Sequence, residues 1–209
     1  MGMTESAPGP APADPPASLR AEQVAQTRAA LVAAGRRLFG SRGFAATSVE
    51  DIAREARVTT GALYHHFPTK AAVFEQVHAD LMEASLQAAG QAADAIGLLT
   101  AGFGAFLDAV LEPEVQRIVI TDAPAVLGLA RFTELDERYA FAATVAALEA
   151  ANAAGVLAVA DPQTLARLLF GALTRAGLLI ASSAEPTATR DAVAATLRAM
   201  ISGFAVRPG

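Results

Sequence analysis

The side chains best suited to specific hydrogen bonding are concentrated in one short part of the chain. They lie in the string Thr59-Thr60-Gly61-Ala62-Leu63-Tyr64-His65-His66-Phe67-Pro68-Thr69-Lys70, which includes the sole lysine of the chain. Its hydroxyl, phenol, imidazole and ammonium groups can bond to polar base edges and to anionic oxygens. The histidines also suggest a metal site, but adjacent helical residues do not face each other and no cysteine is available as a ligand. We therefore expect recognition chemistry and no metal.

The sequence gives little support to an enzyme. Without cysteine there is no thiol nucleophile, disulfide or iron–sulfur cluster. All three histidines fall between positions 65 and 78, there is no Gly-x-Ser-x-Gly string, and the sole lysine does not follow a glycine-rich phosphate loop. Gly102 and Gly104 lie inside a helical pattern with no preceding strand, so they do not form a dinucleotide loop. We predict neither catalysis nor a cofactor.

Short helices are predicted on both sides of a tight turn around this string. Apolar spacing predicts a first helix from Leu19 to about Gly40–Gly43. Thr47-Ser48-Val49-Glu50 has the pattern of a capping box, which starts a second, short helix. Ala56-Arg57-Val58 separates that helix from a third, which Thr59 starts and Pro68 stops. Thr69 caps a fourth helix that ends near Gly90.

The rest of the chain is also predicted to be helical. Prolines recur in this part of the chain at positions where a helix could begin. There is no alternating run of β-branched residues that would predict a strand. The predicted fold class is therefore all-α with about nine helices. Residues 1–18 contain five prolines among small residues and are expected to form a disordered tail. The later helices are placed at about 94–111, 113–121, 124–153 with a break near 130, 161–183 and 187–205.

Charge is distributed unevenly along the chain, which has a net charge of −5. Residues 19–73 contain eight basic and four acidic side chains, a net charge of +4, whereas residues 74–209 contain eight basic and fifteen acidic side chains, a net charge of −7. This layout is expected if only the first segment contacts phosphate. The longest run without a charged residue is the 13 residues from Ala95 to Leu107, and no secretory signal is recognisable. We expect a cytoplasmic protein without a membrane partner.

Two short helices joined by a three-residue turn have the outline of a helix-turn-helix. The string from Thr59 to Lys70 closely resembles the recognition helix of the TetR family of bacterial transcriptional regulators, and Thr27-Arg28, Leu38-Phe39, Gly43-Phe44 and Thr47 to Ala53 resemble that family at matching spacing. Arg57 stands where the family usually has glycine. The resemblance implies a DNA-binding domain over residues 19–68 and an effector-binding and dimerisation domain over residues 69–209.

The resemblance also implies which residues contact an operator. Thr59, Thr60 and His65 are expected to read bases, and Gly61 lets the helix approach a base closely. Phosphate contacts set the register. They are expected from Thr47, Tyr64 and Lys70, and Arg57, which departs from the family pattern, is expected to add one more.

The C-terminal helices are expected to bind a small molecule and a second subunit. An apolar or aromatic ligand would be held by Phe103, Phe106, Leu107, Val110, Arg117, Leu127, Phe132, Tyr139, Phe141 and Arg175. The apolar stripes expected at a homodimer interface comprise Leu165, Leu168, Leu169, Ala172, Ala176, Leu179, Val193, Leu197 and Met200. Each stripe residue has an alternative place in the core of its own chain.

The expected function is therefore a ligand-responsive transcriptional regulator. In this hypothesis a homodimer represses from a pseudo-palindromic double-stranded operator and is released by a small apolar or aromatic effector. The alternative is a helical small-molecule-binding or scaffolding protein that does not read DNA, with Arg57 as a sign of a decayed turn.

Overall fold

The computed structural model describes residues 17–88, 94–136, 138 and 141–206. Within these residues all regular segments are helical, and one isolated bridge pairs Leu157 with Ala205. The all-α prediction is confirmed. Residues 1–16 of the predicted tail lie outside the described part, whereas Ala17 and Ser18 already belong to the first helix.

Four helices form the N-terminal part of the chain: α1 (Ala17–Arg42), α2 (Val49–Glu55), α3 (Thr60–His66) and α4 (Lys70–Ala88). Helix α1 ends where Gly43 takes a φ of +82° and its N–H donates to the Phe39 carbonyl at 2.8 Å. Glycine tolerates this left-handed conformation, which is why the chain turns here towards α2. The predicted end near Gly40–Gly43 is confirmed.

The start of α2 lies one residue later than predicted. Ser48, not Thr47, is the N-cap: its hydroxyl accepts from the Asp51 N–H at 3.0 Å, and the Asp51 carboxylate accepts from the Ser48 N–H at 3.3 Å. Both registers fit the capping-box pattern in this stretch, so the capping box predicted from Thr47 to Glu50 is wrong. Thr59 and Thr69 cap α3 and α4 as predicted, accepting from Ala62 N–H and Ala72 N–H.

An aromatic cluster fixes the N-terminal helices to α4. The rings of Phe39, Phe44 and Phe74 have centroids 5.2 to 5.8 Å apart. Leu63 on α3 is fully buried and Phe67 nearly so, and thus α3 is anchored through its inner face. The predicted inward residues of this region therefore hold the exposed face of α3 in place.

The C-terminal part differs most from prediction between positions 113 and 153. The predicted helix 113–121 is largely a π-helix, and the predicted helix 124–153 is divided into three, with the first break at Gly128, whose φ is +75°. The C-terminal helices are α5 (Ala95–Ala109), α6 (Pro113–Val115), the π-helix (Gln116–Asp122), α7 (Ala123–Leu127), α8 (Leu129–Asp136), α9 (Ala142–Ala153), α10 (Pro162–Ala181) and α11 (Pro186–Ser202).

Helix α10 is long and apolar enough to cross a membrane by length and composition, and α5 with the segment Pro113–Leu127 passes the same test as a pair bent by 90°. In the structure α10 packs against α5, α9, α11 and the π-helix. Of the apolar window of α10, 33% is buried inside the chain, and one or two helices that pass this test are weak evidence for a membrane span.

Candidate DNA-binding and ligand-binding sites

The outer face of α3 presents polar groups to solvent. Thr59, Gly61, Tyr64 and His65 are exposed, and Thr60 is half-buried. A Cβ built on Gly61 would meet only the Thr59 hydroxyl oxygen, at 3.9 Å, so the protein itself leaves space for a larger residue there. The glycine is therefore not required by the packing of α3, whereas close approach to a base would require it.

Arg57 occupies the turn between α2 and α3 with a φ of +60° and an exposed side chain. A non-glycine residue in this left-handed conformation is strained because its Cβ approaches the backbone. Arg57 therefore takes, at the position where the family usually has glycine, the backbone conformation that glycine adopts most easily. Its guanidinium is exposed, and the phosphate contact predicted for it stays a prediction.

Replacing Arg57 by glycine is expected to raise the free energy of unfolding by about 1 kcal/mol, because glycine adopts positive φ without the Cβ penalty. Urea titration of the DNA-free protein measures this change. Arg57→Ala is the matched control, since alanine removes the charge but keeps the Cβ. An equal gain in both variants would contradict the backbone explanation.

Lys70 and Thr47, predicted to contact phosphate, have bonds within the protein. The Lys70 ammonium donates to the carbonyls of Phe44 at 2.8 Å and Thr47 at 2.7 Å, and it lies 4.1 Å from the centre of the Phe44 ring. Thr47 is only 1% exposed, and its hydroxyl donates to the Gly43 carbonyl at 2.9 Å. These bonds correct the prediction for the Thr47 side chain, which faces the interior, and leave Lys70 at most one N–H for phosphate.

Two partly exposed ion pairs join α1 to α2, and a third lies within α2. Arg37 pairs with Glu55 at 3.0 Å, Arg42 lies 3.8 Å from Asp51, and Arg54 also pairs with Asp51. Hydrogen bonds from Ser48, together with Arg54, lower the pKa of Asp51. Much of the positive charge predicted for phosphate is therefore already close to carboxylates.

The C-terminal helices enclose an apolar cavity of about 320 Å³. Among the described residues its lining is uncharged and comes from α4, α5, the π-helix, α8, α9 and α10. Such a size is at the lower end for small-molecule sites. The lining residues are Met82, Ser85, Leu86, Leu98, Leu99, Gly102, Phe103, Phe106, Val119, Ile120, Phe132, Ala143, Thr144, Ala147, Phe170, Leu173 and Thr174.

The structure brings together only part of the predicted pocket. Phe103, Phe106 and Phe132 line the cavity, while Tyr139 lies outside the described residues. The other predicted residues are placed elsewhere: Leu107 and Val110 are fully buried in the core, Leu127 and Phe141 pack against it, and Arg117 and Arg175 are exposed. Helical periodicity predicts which residues lie on the apolar face of a helix. It does not distinguish residues that pack in the core from residues that line a cavity.

The α4 side of the cavity was missed by sequence reasoning. Met82, Ser85 and Leu86 lie at helical spacing and form one wall. The sequence contains a feature that could have indicated them: the apolar residues of α4 continue past Leu81, beyond the part of the helix that packs on the N-terminal helices. Only the fold shows that α5 packs on this part of α4.

Comparison with known proteins agrees with this arrangement. Residues 31–77 match the family model described as bacterial regulatory proteins, tetR family, and residues 97–204 match the tetracyclin repressor-like C-terminal domain. The crystal structure of a TetR-family transcriptional regulator from Pectobacterium atrosepticum is 35% identical, with a TM-score of 0.74, over 90% of this chain and 98% of that one. The chain belongs to the TetR family of transcriptional regulators.

Curated relatives match over a shorter stretch. The transcriptional repressor KstR2 of Mycolicibacterium smegmatis is 39% identical over 61 residues, and the regulator TtgR of Pseudomonas putida is 42% identical over 62 residues. Each match spans about 30% of this chain and 30% of the relative. TetR-family regulators are DNA-binding transcription factors and not enzymes, so the family and the regulator class predicted from the sequence are confirmed.

The residues predicted for a TetR-type dimer interface lie on two faces of α10 and α11. Leu168, Leu179 and Met200 are exposed, and Ala172 and Val193 are half-buried. The other four face the core of their own chain, because the apolar stripe is wider than the surface left uncovered: Leu165, Leu169, Ala176 and Leu197. The exposed face also contains Leu178 and the small residues Gly171, Ala192, Ala195 and Ala199.

The π-helix of this TetR-family chain joins the cavity to the N-terminal helices. Val119 and Ile120 line the cavity, and Asp122 at the end of the same element accepts from the Phe44 N–H at 2.8 Å. Just before the π-helix, Glu114 forms a two-pronged ion pair with Arg36, at 2.9 and 3.0 Å. A displacement of Val119 and Ile120 in the cavity wall would therefore also move Asp122 and, through its hydrogen bond, the loop that precedes α2.

Proposed function

We propose that this regulator is a repressor that binds a pseudo-palindromic operator as a homodimer and is released by a small, uncharged, apolar or aromatic effector. The observation that supports it best is the outer face of α3, where Gly61 is unconstrained by the protein and exposed polar side chains surround it. Two such helices in a two-fold dimer would enter successive major grooves. The printed name of KstR2, a repressor, supports the direction of regulation.

The exposure of the side chains on and next to α3 supports a specific role for each of them in DNA binding. Thr59, Thr60, Gly61 and His65 read bases, while Arg57 and Tyr64 contact phosphate. A domain boundary near residues 68 and 69 and a cytoplasmic location complete the proposal. Thr69 starts α4 there, and α4 contributes to both parts of the fold by packing against α1 and α5.

Release follows from linkage between the cavity and the operator-binding face. An effector that favours a conformation with wrongly spaced recognition helices must lower operator affinity by the same coupling free energy, typically about 1–3 kcal/mol. The π-helix is suited to this coupling, because cavity-lining Val119 and Ile120 are in one element with Asp122, which holds the Phe44 N–H. π-Helical segments are rare and frequently lie at functional sites.

Gly61→Ala separates DNA binding from folding. Alanine has the higher helix propensity, and its Cβ would make only an ordinary contact with the Thr59 hydroxyl oxygen, so the variant is expected to be as stable as the original or more stable by up to about 1 kcal/mol. Its operator affinity is expected to fall about tenfold or more, since the added methyl group faces the DNA. Fluorescence anisotropy with duplexes from DNA upstream of the coding sequence, against a scrambled duplex, measures the change.

The control is the thermal unfolding temperature of the same preparations. Unchanged operator affinity in a stable Gly61→Ala variant would contradict the proposed placement of α3. Absence of sequence-specific binding by the folded, dimeric original protein would instead support the alternative, a helical ligand-binding or scaffolding protein that does not read DNA.

A further inference from the structure

The cavity has the chemistry of a site for a neutral molecule. Its described lining contains no charged side chain, and burying an ion without a partner is costly. Two of its hydroxyls already donate within their own helices, Ser85 to the Leu81 carbonyl at 3.0 Å and Thr174 to the Phe170 carbonyl at 3.1 Å. The lining also contains the Thr144 hydroxyl, and a donor of another kind lies beside the cavity.

His78 supplies such a donor next to the cavity. It lies on α4 one turn before Met82 and two turns before Ser85, both of which line the cavity. Its ring stands at 64° to that of Phe132, with centroids 6.0 Å apart, and Phe132 is itself part of the cavity wall. Thus Phe132 lies next to both the imidazole and the cavity.

The imidazole is fully buried without a hydrogen-bond partner. Within the described part of the chain, both ring nitrogens of His78 are unpaired, as is Nε of Arg190. Burial lowers the pKa of His78 to about 4, with nearby Glu75 opposing the shift, so the ring is neutral near pH 7. A neutral imidazole has one donor and one acceptor, and leaving both unused in the interior costs stability.

We propose that His78 is the hydrogen-bonding residue for an uncharged, largely apolar ligand that carries a hydroxyl group, and that this ligand reaches it when the Phe132 ring turns aside. A hydroxyl both donates and accepts, and therefore matches either nitrogen of the ring. The inference rests on the proposed function only in taking the cavity as the effector site.

Helix α8, which carries Phe132, begins after a glycine and is joined to α4 by an ion pair. Helix α8 follows Gly128, whose φ is +75° and whose missing Cβ would meet open space. Arg131 ties α8 to α4 through Glu75, one turn before His78, and this hydrogen bond lowers the pKa of Glu75. A ligand that displaces His78 would therefore also displace the Glu75–Arg131 ion pair that joins α4 to α8.

The test compares 1-naphthol with naphthalene on the DNA-free protein, with titrations followed by calorimetry. The original protein is expected to bind 1-naphthol about tenfold more tightly than naphthalene, the difference of one buried hydrogen bond. His78→Phe is expected to abolish that difference, to leave naphthalene binding unchanged, and to keep or raise the unfolding temperature because two unpaired polar atoms are removed. His66→Phe is the matched control on a half-exposed histidine and should leave both affinities unchanged.

Three results would overturn the proposal. They are failure of the original protein to bind either probe, the same preference for 1-naphthol in His78→Phe, and binding of 1-naphthoate as tight as that of 1-naphthol. If His78→Phe unfolds at a lower temperature, Phe132→Leu provides the second measurement. Leucine is smaller than the Phe132 ring that separates the ligand from His78 in this proposal, so the variant is expected to bind 1-naphthol more tightly. None of these measurements involves DNA, so failure of operator binding would be seen separately.

Discussion

Replacing Leu168 by glutamate is expected to convert the proposed dimer into monomers and to weaken operator binding about a hundredfold or more. Leu168 is 66% exposed, the highest value among the large apolar side chains of the chain's described part. In the proposed interface a pair of glutamates would be buried without counter-charges, at a cost of several kcal/mol. A monomer retains one recognition helix per half-site and loses the contribution of the second.

Sedimentation velocity measures the first part of this expectation, since a single chain has a mass of 21.4 kDa. Anisotropy with the operator duplex measures the second. Val156→Glu is the control, because Val156 is an exposed apolar residue outside α10, α11 and the DNA-binding domain. A Leu168→Glu protein that remains dimeric would place the interface on another surface, whereas a monomer with full operator affinity would contradict the need for two paired helices.

The regular elements were predictable wherever a local signal decides the backbone. Thr59 and Thr69 start their helices as predicted, because each hydroxyl caps the N–H three residues later. The start of α2 was not decided locally, since Thr47 and Ser48 both fit a cap. The choice depends on the burial of Thr47, which results from the packing of the fold and leaves its hydroxyl donating to the Gly43 carbonyl instead of capping α2.

The sequence predicts which helix faces are hydrophobic. It does not predict whether such a face packs in the core, lines the cavity or faces solvent. Phe103 lines the cavity while Leu107, four residues later on α5, is fully buried in the core. On α10 Leu165 faces the core of its own chain and Leu168 faces solvent. Periodicity gives one stripe for both uses, because a helix buried against several neighbours has apolar residues on most of its surface.

Lys70→Met is expected to lower the free energy of unfolding by about 3 kcal/mol, which contrasts with the phosphate role implied by the family resemblance. Its two hydrogen bonds come from a charged donor, and such bonds contribute about 1.5–3 kcal/mol each. Both hold the loop between α1 and α2, at the Phe44 and Thr47 carbonyls. Methionine keeps an unbranched stem of similar length but no donor, so both carbonyls lose their partner.

Urea unfolding of the DNA-free protein decides between the two roles, because a lysine that only contacts phosphate would leave this free energy unchanged. Arg42→Met is the matched control: Arg42 is a cation of the same region, 3.8 Å from Asp51 and half-exposed, and such surface pairs contribute at most about 1 kcal/mol. An equal loss in both variants would contradict a special role for Lys70. Operator binding by Lys70→Met, measured well below its unfolding temperature, then isolates any phosphate contact, which would appear as a salt slope smaller by about 1.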